Sequence, residues 1–556
     1  MDNKNYKPLD GIMTKFQGII IDRSCKYWAS ISTFEACLST IGVVQPSFLS
    51  LMKELTKRFI FWFALAACIT GVCLRIASYF WNDALVGDVN LFALTARQYA
   101  LDGRLEYPMK YEFSKQVAYR TLTTPASQHP PLWPVLASQI AKWINSQDTF
   151  SILKLLSELT GIILIAITAI VAREAVGINE LNIPNRAGLT TVLLSCSLVS
   201  LSAVLVDFSA NGSPYILMAL WLMCDTGLLL HFEPRSIYHL LLAGIFCALG
   251  ILTHSSLIFM PLCFIVVIFA SKPQDNSKTS LFKSRIFQLA FFLLILFIGL
   301  LPWLIWNMRH FGQAIYSYSS YYIFERMGLV STEISNGVIT SQLISSLSAS
   351  QIFQRYCLLA SKSFYAICRE FILITGPFAL VLFILGVYQG MKVEKRKIWL
   401  WFLPCVGYIL AILIWATYKF RFLIPILPMF YLISAVGFIA ASHWGKIWRW
   451  IAGICLAGTF IWMILPFFRE VKSLYYGEES PAHAELYREM KPLAQSLAAL
   501  PQGVVLGYSE LLDGGIETVY WHHFPFVAGR GMDEAEIKKL VNDFDVRYIW
   551  IDATKL

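Results

Sequence analysis

Lys419-Phe420-Arg421-Phe422-Leu423-Ile424-Pro425-Ile426-Leu427-Pro428 sets two basic side chains at the edge of an apolar run. Charges at the edge of a bilayer are costly and usually serve function. The stretch therefore reads as the mouth of a membrane span, with a cationic corner that suits a lipid phosphate. Ordinary snorkelling to the interface would account for Arg421 as well.

The rest of the chain agrees with a membrane setting. Hydrophobic residues make up 57% of 556 residues, 15% are charged, and the mean hydropathy is +0.58. That is too apolar for a water-soluble protein of this size. Runs of roughly 17 to 25 residues can cross a bilayer as helices. They lie near 59–80, 150–172, 187–206, 214–231, 238–252, 256–270, 286–306, 370–389, 399–416, 422–441 and 447–467, about eleven in all. The expected fold class is an α-helical polytopic membrane protein: a cytoplasmic N-terminal arm (1–58), a transmembrane domain (59–468) and a small soluble α/β domain (469–556). The first run begins near Phe59 and is long enough to span, so no cleavable signal peptide is expected.

Basic residues set the orientation. Lys53, Lys57 and Arg58 precede the first span; Lys272, Lys278, Lys283 and Arg285 follow the sixth; Lys392, Lys395, Arg396 and Lys397 follow the eighth; Lys446 and Arg449 follow the tenth. The positive-inside rule puts all of them in the cytoplasm. The net charge of +9 then reports topology, and no nucleic-acid partner is expected. The loops 81–149 and 307–369, the turns near Asp207, His254 and 417–421, and the tail after Arg469 face outward. The expected location is the cell (inner) membrane, with the site and the C-terminal domain extracytoplasmic.

The tail changes character. An amphipathic pattern over 482–497, β-like runs at 504–508, 518–521 and 546–552, and a helical pattern over 533–541 describe a small α/β domain. His522-His523 reads as surface decoration, since no further ligand stands at a familiar metal spacing. The twelve cysteines fall mostly inside apolar runs without paired spacing, as small hydrophobes do.

Four more polar motifs sit at span ends on the outward face. Gly87-Asp88 opens an amphipathic stretch, 89–101. Asp88 suits a helix N-cap, and a capping carboxylate still has an oxygen for a substrate. In Gln128-His129-Pro130-Pro131-Leu132-Trp133 the double proline forces an extended approach to the next helix. That holds His129 at the membrane surface, where it suits a phosphate. The Asp207–Asn211 segment ends a third span. In Pro302-Trp303-Leu304-Ile305-Trp306-Asn307-Met308-Arg309 an aromatic belt with a helix stop accounts for the Trp residues, and Asn307 and Arg309 are candidates to line a cavity.

In order and spacing these motifs, with Arg-Phe-Leu-Ile-Pro-Ile-Leu-Pro at 421–428, resemble the GT-C polyprenyl-phosphate-dependent glycosyltransferases over about 59–467. The most similar group is the protein O-mannosyltransferase-like and lipid A aminoarabinose transferase-like enzymes. The resemblance implies transfer of a sugar from a polyprenyl-phosphate donor to a lipid, glycan or protein acceptor. It places Asp88 as the general base near the acceptor, and His129, where Lys is common, with Arg421 on the donor phosphate. Val89 stands where the family often has a second acidic residue. Asn211 stands where a further acidic residue is common, with Asp207 one helical turn earlier. No metal ligand is assigned and no cofactor is required, although a divalent metal is compatible with the chemistry.

The mechanism follows from the donor. A sugar on a polyprenyl phosphate leaves behind an anion, so the site must stabilise that charge with Arg421, Lys419 and His129. Asp88 would take the proton of the attacking hydroxyl or amine, and direct displacement inverts the anomeric centre. A transporter or flippase for lipid-linked sugars is the rival reading. It calls for internal repeats and broken helices near mid-membrane, whereas the sequence shows no clear repeat and its polar motifs gather at one face.

Overall fold

The computed structural model describes residues 46–81, 88–107, 109–110, 124–125, 129–177, 185–270, 278–315, 348–393, 395–415, 420–467, 501, 504–507, 526–528, 538 and 546–550. The chain divides into two compact units, 1–63 and 64–556. The first contributes the leading part of helix α1.

The helices are α1 (Pro46–Trp81), α2 (Asp88–Asp102), α3 (Leu132–Trp143), α4 (Thr149–Gly177), α5 (Asn185–Leu201), α6 (Ala203–Ala210), α7 (Tyr215–His231) and α8 (Ile237–Thr253). A 3-10 turn (Ser255–Phe259) leads into α9 (Met260–Ala270), followed by α10 (Lys278–Phe311), α11 (Ala349–Thr375), α12 (Pro377–Val393) and α13 (Lys395–Trp415). A second 3-10 segment (Phe420–Ile426) opens α14 (Leu427–His443), and α15 (Lys446–Ile464) follows. Local chemistry explains several starts. Ser348 and Gln351 close a capping box on α11, which satisfies amides that a helix start leaves free. Pro428 sits in the first turn of α14, where a missing N–H costs nothing.

The bundle is built for an apolar solvent. Large side chains such as Phe80, Phe287, Ile414, Ile454 and Ile461 point outward, as a lipid-facing surface allows and a water-soluble monomer does not. Hydroxyls inside the helices return to the carbonyl four residues back: Thr168 to Leu164, Thr226 to Leu222, Ser434 to Phe430 and Thr459 to Cys455. Such groups have no water to turn to in lipid. The interior centres on α14, most of it buried. Small residues bring α14 against α12: a Cβ at Gly437 would overlap the Leu382 carbonyl, and one at Gly386 would overlap that of Ile433. Close backbone approach at small residues is how helices associate without a hydrophobic drive.

By length and composition, five helical segments among the described residues can cross a membrane, or up to seven if each bent pair is one span. Four shorter apolar helices of 10–17 residues complete the set. Two of the expected runs are not straight. The run at 187–206 breaks at Ser202, where α5 and α6 meet at 58°. The run at 370–389 straddles a 103° bend between α11 and α12, at Gly376 with φ +80°. Hydropathy registers apolarity but not direction, so both read as single spans in the sequence.

Strand β1 (Glu106–Tyr107) pairs antiparallel with β3 (Thr124–Pro125). Strand β2 (Met109–Lys110), from the same loop, joins three strands of the tail, β4 (Val504–Gly507), β5 (Phe526–Ala528) and β6 (Val546–Trp550). Their order is β2-β5-β4-β6, all parallel. Strands β4 and β6 fall in the expected runs at 504–508 and 546–552. The runs expected at 518–521 and 482–497, and the pair His522-His523, lie outside the described residues, as does all of 533–541 except the helical Lys538. Hydrogen-bonded strands cannot lie on opposite sides of a bilayer, so the first loop and the tail share one side.

Candidate functional site

The α6–α7 turn organises the site. Asn211 caps α6, its side-chain oxygen accepts from the Ser213 amide at 2.9 Å, and Gly212 follows with φ +80°. Glycine takes that conformation without strain. It also makes room, because a Cβ on Gly212 would lie 3.2 Å from Val89 Cγ1 of α2. Two hydrogen bonds hold the turn from other helices. Trp133 of the double-proline motif donates its indole N–H to the Gly212 carbonyl at 2.8 Å, and Ser157 of α4 donates to the Phe208 carbonyl at 3.0 Å. Thr149, at the start of α4, donates to the Ala93 carbonyl at 2.8 Å and ties α2 into the same assembly.

Rings connect the motifs. Phe92 of α2 lies 4.9 Å from the His129 imidazole, measured between ring centroids, and His129 lies 5.7 Å from His254. His254 approaches Tyr215 at 6.0 Å and Phe422 at 5.9 Å. Tyr215 receives the Arg421 guanidinium over its face at 5.7 Å, an arrangement favoured by the ring quadrupole. Phe208, one residue past Asp207, packs edge-on against both Tyr215 and Phe420. A recess beside this chain of rings is lined by Phe92, Thr95, His129, Pro131, Trp303 and Trp306. Described residues of four of the motifs, and Phe92 of the helix that Asp88 opens, therefore lie along one chain of contacts.

Each candidate has a definite position. Asp88 is the first residue of α2, where a helix end favours negative charge; its side chain lies outside the described residues, as does Lys419. His129, Asp207, Asn211 and Arg421 are half-buried. Asn307 is 1% exposed, and its amide donates to the Ala314 carbonyl at 3.1 Å, so it shapes the chain leaving α10. Arg309 is exposed.

Two members of the assembly went unnoticed as site residues in the sequence. Tyr215 is buried and central to the ring contacts. His254 ends α8 and is buried, with Nδ1 2.8 Å from Ser256 Oγ. A lone imidazole between two apolar runs is the signal that would have marked it. One guanidinium, two imidazoles and a set of aromatic faces suit an anionic group that carries an apolar tail. Among the described residues no three His, Cys, Asp or Glu side chains are grouped to hold a metal ion.

In sequence the chain matches no protein-family model and no curated protein. Solved structures do match. The oligosaccharyltransferase AglB of Archaeoglobus fulgidus, solved with an inhibitory peptide and a dolichol-phosphate, aligns at TM-score 0.52 and 11% identity over 88% of this chain and 69% of that one. The same archaeal protein in complex with Zn and sulfate gives 0.52 and 13%, over 84% of this chain and 62% of that one. Its apo form gives 0.53 and 11%, over 88% and 69%. ArnT of Cupriavidus metallidurans aligns over 85% of this chain and 87% of that one, at a TM-score of only 0.31. The helical bundle assembled here is accordingly the GT-C fold, shared with the archaeal oligosaccharyltransferase.

Proposed function

We propose that the protein is an integral-membrane glycosyltransferase that moves a sugar from a polyprenyl-phosphate donor to a lipid, glycan or protein acceptor on the extracytoplasmic side, with inversion. The observation that carries this reading is the meeting of Arg421 and His129, through Tyr215 and His254, beside the helix that Asp88 opens. The fold adds support, since AglB has been solved with dolichol-phosphate bound. In the proposed reaction Arg421, Lys419 and His129 hold the donor phosphate and stabilise the charge it gains as the glycosidic bond breaks. Asp88 accepts the acceptor's proton. Asp207, Asn211 and Arg309 border the reacting groups, and Asn307 acts through the chain it anchors. We read the tail as a small α/β domain, whose described strands β4, β5 and β6 join β2 of the first loop.

Mass analysis of lipid-linked sugars and envelope glycans, with and without the protein, tests the reading. Loss of the protein should deplete one glycan modification and leave its polyprenyl-phosphate sugar undischarged at the outer leaflet. Accumulation of that lipid in the cytoplasmic leaflet would instead identify a flippase. The flippase reading has one feature in its favour, the broken α5–α6 span, although the carbonyls at that break are already taken up by Arg75.

Sidedness has its own test. In a cysteine-depleted background, an impermeant thiol reagent applied to intact cells should label Ser480→Cys and spare Lys397→Cys. The reverse pattern would overturn both the orientation and the outward-facing site.

A further inference from the structure

We infer that Arg75 is a positioning residue: it fixes the break between α5 and α6, and so holds the α6–α7 turn, with Asp207 and Asn211, in place against the site. The link to the site rests on the transfer reading above; the clamp itself does not.

Arg75 lies on α1 within a membrane-crossing segment, and it is completely buried. A cation at that depth calls for a specific purpose. Two of its four hydrogen bonds cover the break. Nη1 donates to the Ser200 carbonyl at 2.8 Å and to the Gly71 carbonyl at 3.0 Å, Nη2 to the Val199 carbonyl at 3.1 Å, and Nε to Ser209 Oγ at 3.3 Å. In an unbroken helix the carbonyls of Val199 and Ser200 would accept from the amides of residues 203 and 204. Ser202 is extended, with ψ 109°, and those two amides belong to the next helix. Left bare in lipid, each carbonyl would be costly. A planar guanidinium fork can cover two neighbouring carbonyls at once, which an ammonium cannot do as well.

Its own helix and α4 make space for it. A Cβ on Gly71 of α1 would overlap the Ser200 carbonyl, and one on Gly161 of α4 would overlap Ser209 Oγ and stand 3.2 Å from Arg75 Nε. Glu158, one turn before Gly161 on α4, is also buried. The same end of α6 is held also by Ser157 and Trp133. Arg75 thus ties the last carbonyls of α5 to Ser209 near the end of α6, beside Asp207 and the Phe208 ring that meets Tyr215 and Phe420.

Hydrogen–deuterium exchange on the full-length protein in nanodiscs tests the clamp without any reaction. In Arg75→Met, peptides covering 203–213 should open about tenfold more readily, a difference of about 1.4 kcal/mol, while α14 keeps its protection. Arg75→Lys, which retains the charge without the fork, should fall between Met and wild type. Should Arg75→Met fail to accumulate, Gly161→Ala presses on the same contact and should deprotect the same peptides. Unchanged exchange over 203–213, or an equal loss over α14, overturns the clamp. Transfer kinetics then read the link to the site: turnover in Arg75→Lys should fall while the donor KM holds. Unchanged kcat and KM beside a deprotected α6 would overturn that link alone. A wild-type protein that transfers no sugar would overturn the transfer reading and leave the exchange result standing.

Discussion

Asp88→Asn protein is expected to insert and fold normally while transferring sugar about 10² to 10⁴ times more slowly, the range typical for loss of a general base. Asp88 begins α2, and Asn serves a helix start about as well as Asp. The substitution keeps size and hydrogen-bonding capacity and removes only the carboxylate that would take the proton. Two measurements belong together: thermal stability of the purified variant, and its turnover at saturating donor and acceptor. A stable variant that transfers at the wild-type rate would reduce Asp88 to a capping residue. Asp207, on the helix that packs beside the same rings, would then be the next carboxylate to replace.

Removal of Arg421 should act on the donor. Its guanidinium lies over the Tyr215 ring, which neighbours His254, itself next to His129. Loss of one hydrogen bond to a charged group costs about 1.5 to 3 kcal/mol, so Arg421→Ala should lower kcat/KM for the donor by roughly 10- to 150-fold. Arg421→Lys should keep part of this, because a point charge still attracts phosphate but lacks the planar fork. Competition by a short-chain polyprenyl phosphate should weaken in parallel. Equal kcat/KM in Arg421→Ala and wild type would leave Arg421 as an interfacial anchor.

Much of this was legible in the chain because lipid simplifies the problem. A backbone in hydrocarbon must satisfy its own hydrogen bonds, so apolar runs of sufficient length become helices. The motif order placed Asp88, His129, Asp207, Asn307 and Arg421 among the candidates, and ring contacts and a shared recess link His129, Phe208, Arg421 and Trp303. Local chemistry was readable too: the double proline that orients α3, and the β-like runs that became β4 and β6.

The expectation fell short where direction or distant contact decides. The runs at 187–206 and 370–389 carry the same apolar composition on both sides of their bends, so nothing periodic marks the 58° and 103° turns. Asn307 had the look of a cavity residue, yet it closes back on Ala314.

What the sequence alone determined is therefore the membrane class, the apolar helical runs and the set of polar motifs at their ends, because each depends on the composition of one contiguous stretch. The tertiary structure alone decided which side chains complete the assembly. Tyr215 and His254 enter through ring contacts, Trp133 reaches Gly212 across 79 residues, and Arg75 reaches Ser209 across 134. Strand β2 of the first loop finds β5 of the tail. Such pairs are set by how helices and strands pack, which no local pattern of residues encodes.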